Sequence, residues 1–205
     1  VRPGNVKPAL LLAGLGLAAA VVLAGLHQST RDRIAEERQQ RALAAVASML
    51  AEVDFDNELL DDSVRLAIPG LDAPARVYRA RLGARPVAVV MDVVTSAGYS
   101  GDIRLLVAVD SNGTVLGVRV TEQRETPGLG DRIDHRRSDW IEQFAGRSLG
   151  DPPAEDWAPD RRGGAFDTLT SATITSAAVT EAVRRALAAF DAQRDRILHA
   201  GDRSP

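Results

Sequence analysis

Residues Ala9 to Leu26 contain no charge and no strongly polar side chain. At about 1.5 Å of rise per residue such a run makes roughly 27 Å of helix, just enough for the hydrocarbon core of a bilayer. Arg2 and Lys7 precede it and favour a cytoplasmic N-terminus, while Arg31 and Arg33 follow it. A cleaved signal peptide would share the basic start and apolar run, but this run is longer than a usual signal core and no small-x-small cleavage site comes before Arg31. The expectation is a retained single-span anchor with the rest of the chain outside the cytoplasm. The expected divisions are residues 1–8 as a cytoplasmic N-terminus, 9–26 as a transmembrane helix, 27–75 as a stalk and connecting segment, 76–198 as a folded domain, and 199–205 as a flexible tail.

The chain has 205 residues, enough for the anchor and one domain with a real core. A net charge of −3 lacks the concentrated basic face that a nucleic-acid partner needs. There is no cysteine, which excludes disulfides, thiolate metal sites, iron–sulfur ligation and cysteine nucleophiles together. Any electron carrier here must therefore be organic. His27, His135 and His199 share no metal-pair spacing and read as solvated or locally bonded.

Between Gln28 and Leu50 a partly helical spacing of Ile34, Leu43, Val46, Met49 and Leu50 predicts a stalk helix. Asp54, Asp56, Glu58, Asp61 and Asp62 lack the central glycine of a calcium loop and read as a solvated face or turn. Strands are predicted at Arg76–Leu82 and Val87–Val94 around Gly83, then at Ile103–Val109 and Val115–Val120. The last two are joined by a hairpin turn at Asp110-Ser111-Asn112-Gly113. Ile103, Leu105, Val107 and Val109 alternate with less apolar neighbours, so one sheet face is expected to be buried. A short helix with Ser138 as N-cap should turn Trp140, Ile141 and Phe144 inward, and Gly150–Gly164 reads as a polar, proline-bearing loop. A last helix from about Ser176 to Leu198 carries Val179, Ala182, Val183, Ala186, Leu187 and Phe190 as one stripe.

Two stretches carry chemical potential. In Glu125-Thr126-Pro127-Gly128-Leu129-Gly130 the proline fixes one φ and the glycines admit close approach, so the loop can lay backbone N–H groups against a planar ring or a phosphate, or can be a plain turn. In Asp167-Thr168-Leu169-Thr170-Ser171-Ala172-Thr173-Ile174-Thr175, hydroxyls crowd the start of the last helix. Taken alone they are cap and turn residues, with Thr175 or Ser176 as N-cap. Taken as a site, they put Thr173 beside free helix N–H groups and a positive dipole end, which stabilise an anion.

The run Asp167-x-x-Thr170-Ser171-Ala172-Thr173 resembles the flavinylation motif of the membrane-anchored FMN-binding subunits of two related respiratory complexes, the Rnf complex and the sodium-pumping NADH:quinone oxidoreductase. Gly98-Tyr99-Ser100-Gly101 and Glu125–Gly130 resemble landmarks of the same domain in the same order, and with the anchor the resemblance spans essentially the whole chain, most strongly from Gly98 to Val183. It implies an α+β fold, a single N-terminal transmembrane helix followed by an FMN-binding domain in which helices pack an antiparallel sheet. It implies FMN bound to Thr173 by a phosphoester, with Thr170, Ser171, Ala172 and Asp167 as motif residues and Tyr99, Glu125, Thr126, Gly128, Leu129 and Gly130 as flavin contacts. The family's usual residue before the Ala-Thr pair is glycine, where this chain has Ser171.

Thr173 is itself a weak nucleophile without a histidine or cysteine nearby in sequence, so attachment calls for a separate enzyme, by resemblance a magnesium-dependent flavin transferase using FAD. The role implied is an electron-carrier subunit of a bacterial inner-membrane Rnf complex, which exchanges electrons between ferredoxin and NAD and moves ions. The chain would have no ferredoxin or nicotinamide site of its own. The compact length favours this branch over the sodium-pumping one. A membrane-anchored binding module of the same fold without flavin is the reading from a different class.

Overall fold

The computed structural model describes residues 6–199, with the side chains of Val6, Lys7, Ala9, residues 26–41 and Leu43 outside that description. Arg2 and the tail beyond His199 thus lie outside the described residues, and the side chains of Lys7, Arg31 and Arg33, of Ala9 and Leu26 at the ends of the expected span, and of most of the stalk lie outside the description. The chain divides into two compact units, Val1–Arg41 and Ala42–Pro205. Helix α1 (Val6–Met49) fills the described part of the first unit, where Leu10, Leu11, Leu12, Leu15, Leu17, Val21, Val22 and Leu23 are all exposed. Among the described residues no helix is long and apolar enough to cross a membrane.

In the second unit, five strands form an antiparallel meander in the order β1-β2-β3-β4-β5. They are β1 (Ser63–Leu66), β2 (Ala75–Leu82), β3 (Arg85–Thr95), β4 (Ile103–Asp110) and β5 (Val115–Glu122). The four expected strands are present, each longer by one to three residues than its apolar run. Strand β1 lies inside the segment expected to connect stalk and domain, and at four residues it is too short for its alternation to register.

The β4–β5 turn forms because the Asp110 carboxylate accepts N–H groups from Asn112 and Thr114 at 2.9 and 2.8 Å, while Gly113 takes φ +99°. In the sheet Val77 opposes Met91, Met91 opposes Val107, and Val107 opposes Val118. These side chains stack on one face as a continuous apolar row.

That face meets helix α2 (Thr173–Ala192), whose stripe of Val179, Val183, Ala186, Leu187 and Phe190 is buried. The one-turn helix at Trp140–Phe144 adds Trp140, Ile141 and Phe144 to this core, and two further one-turn helices, Ala154–Asp156 and Asp160–Arg162, follow it without burying a residue of their own. The expected Gly150–Gly164 loop is more than polar covering. It delivers Trp157 into the core, where its ring lies 4.6 Å from that of Phe166, which in turn lies 4.9 Å from Phe144.

The opposite sheet face is buried as well, which corrects the expectation of a single buried face. Ala80, Ala88, Val90, Leu106 and Ala108 pack with Val46, Met49 and Leu50 from the end of α1 and just beyond it. Gly117 permits this approach: a Cβ there would meet Met49 Cγ at 3.0 Å. The acidic cluster is also more than a solvated turn. Asp62 pairs with Arg79 and Arg81, and both oxygens of Asp56 accept the Gly83 N–H at 2.9 and 3.0 Å, so it ties the entry segment to the β2–β3 hairpin.

The last helix differs at both ends from expectation. It starts at Thr173 with Ala172 as N-cap, and Gln193 separates it from α3 (Arg194–His199). The short helix likewise starts after Asp139, although Ser138 Oγ still accepts the Trp140 N–H at 3.3 Å.

Burial of both faces makes a stability prediction. Leu106→Ala, on the α1 side, should cost about 2–5 kcal/mol in urea unfolding of the detergent-solubilised chain. A loss below about 0.5 kcal/mol would mean that this face is solvated.

Candidate functional site

Three segments far apart in sequence converge on the carboxylate of Glu125, which is 5% exposed. Its Oε1 accepts the Ser100 N–H at 3.0 Å and its Oε2 accepts the Thr175 hydroxyl at 2.6 Å. Gly98 and Gly130 leave room for it, since a Cβ on either would lie 2.9 Å from a carboxylate oxygen. The turn before β4, the loop after β5 and the first turn of α2 are thereby held together.

Tyr99, Leu129 and Ile174 are each the chain neighbour of a residue at this junction, yet they are 68%, 40% and 49% exposed. Among the described residues, the remaining large apolar side chains exposed in the second unit are Leu60 and Leu82, on other segments.

The loop after β5 does not present its amides as the sequence suggested. The N–H groups of Leu129 and Gly130 both donate to the Thr126 carbonyl at 3.1 Å, and the Gly128 N–H donates to Asp131 Oδ1 at 2.7 Å. Gly128 takes φ +77°, which closes the turn. With these donors spent inside the loop, what it offers outward is the apolar surface of Leu129 and Pro127 and the exposed Thr126 side chain. Glu125, expected as an outward polar contact, points inward.

The hydroxyl-rich segment is anchored on either side of Thr173. The Asp167 N–H donates to Gln143 Oε1 and the Trp140 indole N–H donates to the Asp167 carbonyl, both at 2.7 Å, while the Asp167 side chain stays exposed. The Thr168 hydroxyl donates to the Asp160 carboxylate, and this bond is the main reason that carboxyl is held below the usual carboxylate range. Ser176 Oγ accepts the Leu169 N–H and donates to the Ala172 carbonyl, both at 3.0 Å. Gln143 and Trp140, from one one-turn helix, and Asp160, from another, carry no sign in the sequence that they are partners of this segment.

These bonds explain why α2 starts early. Thr175 and Ser176 look like caps, but Thr175 bonds the distant Glu125 and Ser176 bonds back to Leu169 and Ala172 from inside the helix, and the chain enters the helix at Ser171, the one non-glycine residue with positive φ (+67°) among the described residues. Ala172 then caps without a side-chain bond. The first helical bond runs from the Ser176 N–H to the Ala172 carbonyl at 2.9 Å, so the preceding N–H groups have no acceptor within the helix.

The hydroxyls thus divide into two sets. Thr168, Thr175 and Ser176 are bonded, the last two in full burial. Thr170 and Ser171 are exposed and Thr173 is half-buried at the first helical position. An anion carried on Thr173 would meet free N–H groups and the positive end of a twenty-residue helix. Tyr99, Leu129 and Ile174 leave apolar side chains exposed next to the Glu125 junction, and the donors at the start of α2 could take a phosphate group.

Residues 98–188 match the FMN-binding domain family, which covers all three converging segments. Fold and matched residues define the second unit as part of an FMN-binding domain protein. Over its length, the chain is 43% identical across 200 residues to the G subunit of the ion-translocating oxidoreductase complex of Pseudomonas aeruginosa strain UCBPP-PA14, covering 96% of this chain and 94% of the relative. The corresponding protein of Escherichia coli K12 is 43% identical over 188 residues, 91% of this chain and 89% of its own length, and that of Cereibacter sphaeroides ATCC 17023 is 42% identical over 189 residues, 92% and 85%. The chain belongs to the family of G subunits of ion-translocating oxidoreductase complexes.

The left-handed backbone at Ser171 gives a physical reason for the glycine usual in the resembled motif. Ser171→Gly should relieve about 1 kcal/mol of backbone strain, partly offset by the freer unfolded chain, for a net gain of a few tenths up to about 1 kcal/mol. Ser171→Val should lose more than about 1 kcal/mol. Thermal unfolding of the two variants side by side checks the order, and a Val variant as stable as the Gly variant would contradict it.

Proposed function

We propose that this chain is the membrane-anchored electron-carrier subunit of an Rnf-type ion-translocating complex, with FMN joined to Thr173 through a phosphoester. The observation that carries the reading is the state of the hydroxyls at the start of α2. Thr173 stands at the helix's first residue beside unbonded N–H groups, while Thr175 and Ser176 are buried and engaged. Thr170 and Ser171 lie before the helix and lack that electrostatic support.

Attachment in this reading breaks the FAD pyrophosphate bond, forms a bond from Thr173 Oγ to the flavin-side phosphorus and releases AMP, with a flavin transferase supplying magnesium and the base. The phosphodiester keeps one negative charge, which the first N–H groups of α2 and its dipole stabilise. Ser171 and Ala172 are small, so the transferase can approach the hydroxyl. The exposed Asp167 side chain is free for recognition, since its backbone alone holds the segment in place.

FMN supplies reversible one-electron exchange, with a potential set by the groups around the ring. The residues' share is to tether and orient: Thr173 holds the phosphate end, while Tyr99, Leu129 and Ile174 supply an apolar face. A covalent tether suits a site outside the cytoplasm, where lost flavin cannot be replaced.

The apolar run Ala9–Leu26 is the membrane anchor of this reading, with the N-terminus cytoplasmic and the domain extracytoplasmic. The partners are the other subunits of the inner-membrane complex, and the couple served by the whole complex is ferredoxin and NAD. The support is the family membership together with the run's length and lack of charge.

Co-expression with a flavin transferase should give a membrane-fraction band that stays fluorescent through denaturing electrophoresis, and Thr173→Ala should abolish it. A wild-type band without fluorescence under those conditions would favour a flavin-free binding module, and a fluorescent Thr173→Ala band would move the attachment elsewhere.

A further inference from the structure

The FMN reading leaves Glu125 without a task, although it is buried at the meeting point of every segment of the site. We propose that Glu125 is a positioning residue: its carboxylate clasps the Gly98–Gly101 turn, the Thr126–Gly130 loop and the first turn of α2, and so sets the apolar face on which a ring tethered at Thr173 is held. The proposal rests on the FMN reading for the ring and on the structure alone for the clasp.

The geometry argues for position over contact. Both carboxylate oxygens are committed, one to the Ser100 amide and one to the Thr175 hydroxyl, and the group is too buried to reach a ligand on the surface. Its two partners lie 25 and 50 residues away in sequence, so no local turn would bring them together. The fit is tight, because a Cβ on Gly130 would lie 2.9 Å from Glu125 Oε2 and 3.0 Å from Thr175 Oγ1.

Each clasped segment then projects one exposed apolar side chain, namely Tyr99, Leu129 and Ile174. Their relative placement depends on bonds made one residue away. Opening the clasp would let the three segments drift independently, since the loop after β5 is otherwise bonded largely to itself.

The chemistry of the clasp allows a clean set of variants. Glutamine keeps both bonds, with its oxygen accepting the Ser100 N–H and its amide donating to Thr175 Oγ1. Alanine loses both and strands the buried Thr175 hydroxyl and the Ser100 amide. Thr175→Ser keeps the hydroxyl, Thr175→Val removes it at nearly equal volume, and Gly130→Ala forces the clasp apart without removing a bonding group.

Two measurements on the full chain in detergent decide the matter. In the unloaded chain, Ser100 amide exchange should speed up roughly tenfold or more in Glu125→Ala and Thr175→Val and stay near wild type in Glu125→Gln and Thr175→Ser. In the flavin-loaded chain, Glu125→Ala and Thr175→Val should keep the covalent flavin but lose fluorescence anisotropy and become several-fold more sensitive to iodide quenching, with Glu125→Gln and Thr175→Ser restoring both. Gly130→Ala should behave like Thr175→Val, and either one stands in if Glu125→Ala does not fold.

Wild-type anisotropy and a protected Ser100 amide in the disrupted variants would overturn the clasp. A Glu125→Gln variant as impaired as Glu125→Ala would overturn it too, because charge and not position would then be the residue's contribution. A chain that takes no flavin at all would sink the FMN reading, and the Ser100 exchange rates would still decide whether the clasp exists.

Discussion

A buried carboxylate is unfavourable unless hydrogen bonds replace the water it gives up. Glu125 meets that condition only when the Ser100 amide and the Thr175 hydroxyl both reach it, so the cost of burying the charge is converted into a requirement that three loops meet. The glycines at 98 and 130 follow from the same requirement, since a side chain at either would occupy the carboxylate's space. The sheet supplies the rigid support, holding two of these loops at the ends of β4 and β5, and α2 brings the third.

The same arrangement explains how one hydroxyl among several becomes chemically distinct. Thr175 spends its side chain on Glu125, Ser176 on Leu169 and Ala172, and Thr168 on Asp160, and the helix is left to start at Thr173 without a side-chain cap. An uncapped helix start retains donors for an anion, where a serine cap would have consumed one. The backbone reaches this start through a left-handed Ser171, so the motif's unusual letter stands at its most demanding backbone position.

Much of the fold was legible because local chemistry agrees with tertiary structure. The strands from Arg76 to Val120 carry β-branched runs broken by Gly83 and Gly113, and the α2 stripe from Val179 to Phe190 has helical spacing throughout. What alternation could not reveal was the second buried face, because Leu106 and Ala108 are covered by Val46 and Met49 from a different element. Thr175 reads as a cap for a related reason, since a hydroxyl near a helix start has the same sequence signature whether it bonds its own helix or a distant carboxylate, while Ser176 bonds back to Leu169 and Ala172 from one turn inside the helix. The loop at Thr126–Gly130 reads from its sequence as able to present its amides, whereas in the fold they bond within the loop, a difference that one sequence carries no sign of. The motif resemblance points to Thr173, and the uncapped helix start there has N–H groups that would suit a phosphate.

Central to the proposed function is that the attachment oxygen belongs to Thr173 and to none of its hydroxyl neighbours. Fragmentation mass spectrometry of the peptide spanning Asp167 to Arg184, from chain matured with a flavin transferase, tests this most directly. The expected result is a mass gain of FMN less one water confined to fragments that contain Thr173 and absent from those ending at Ser171. The same gain on Thr170, Ser171 or Thr175, or no gain on that peptide, would contradict it.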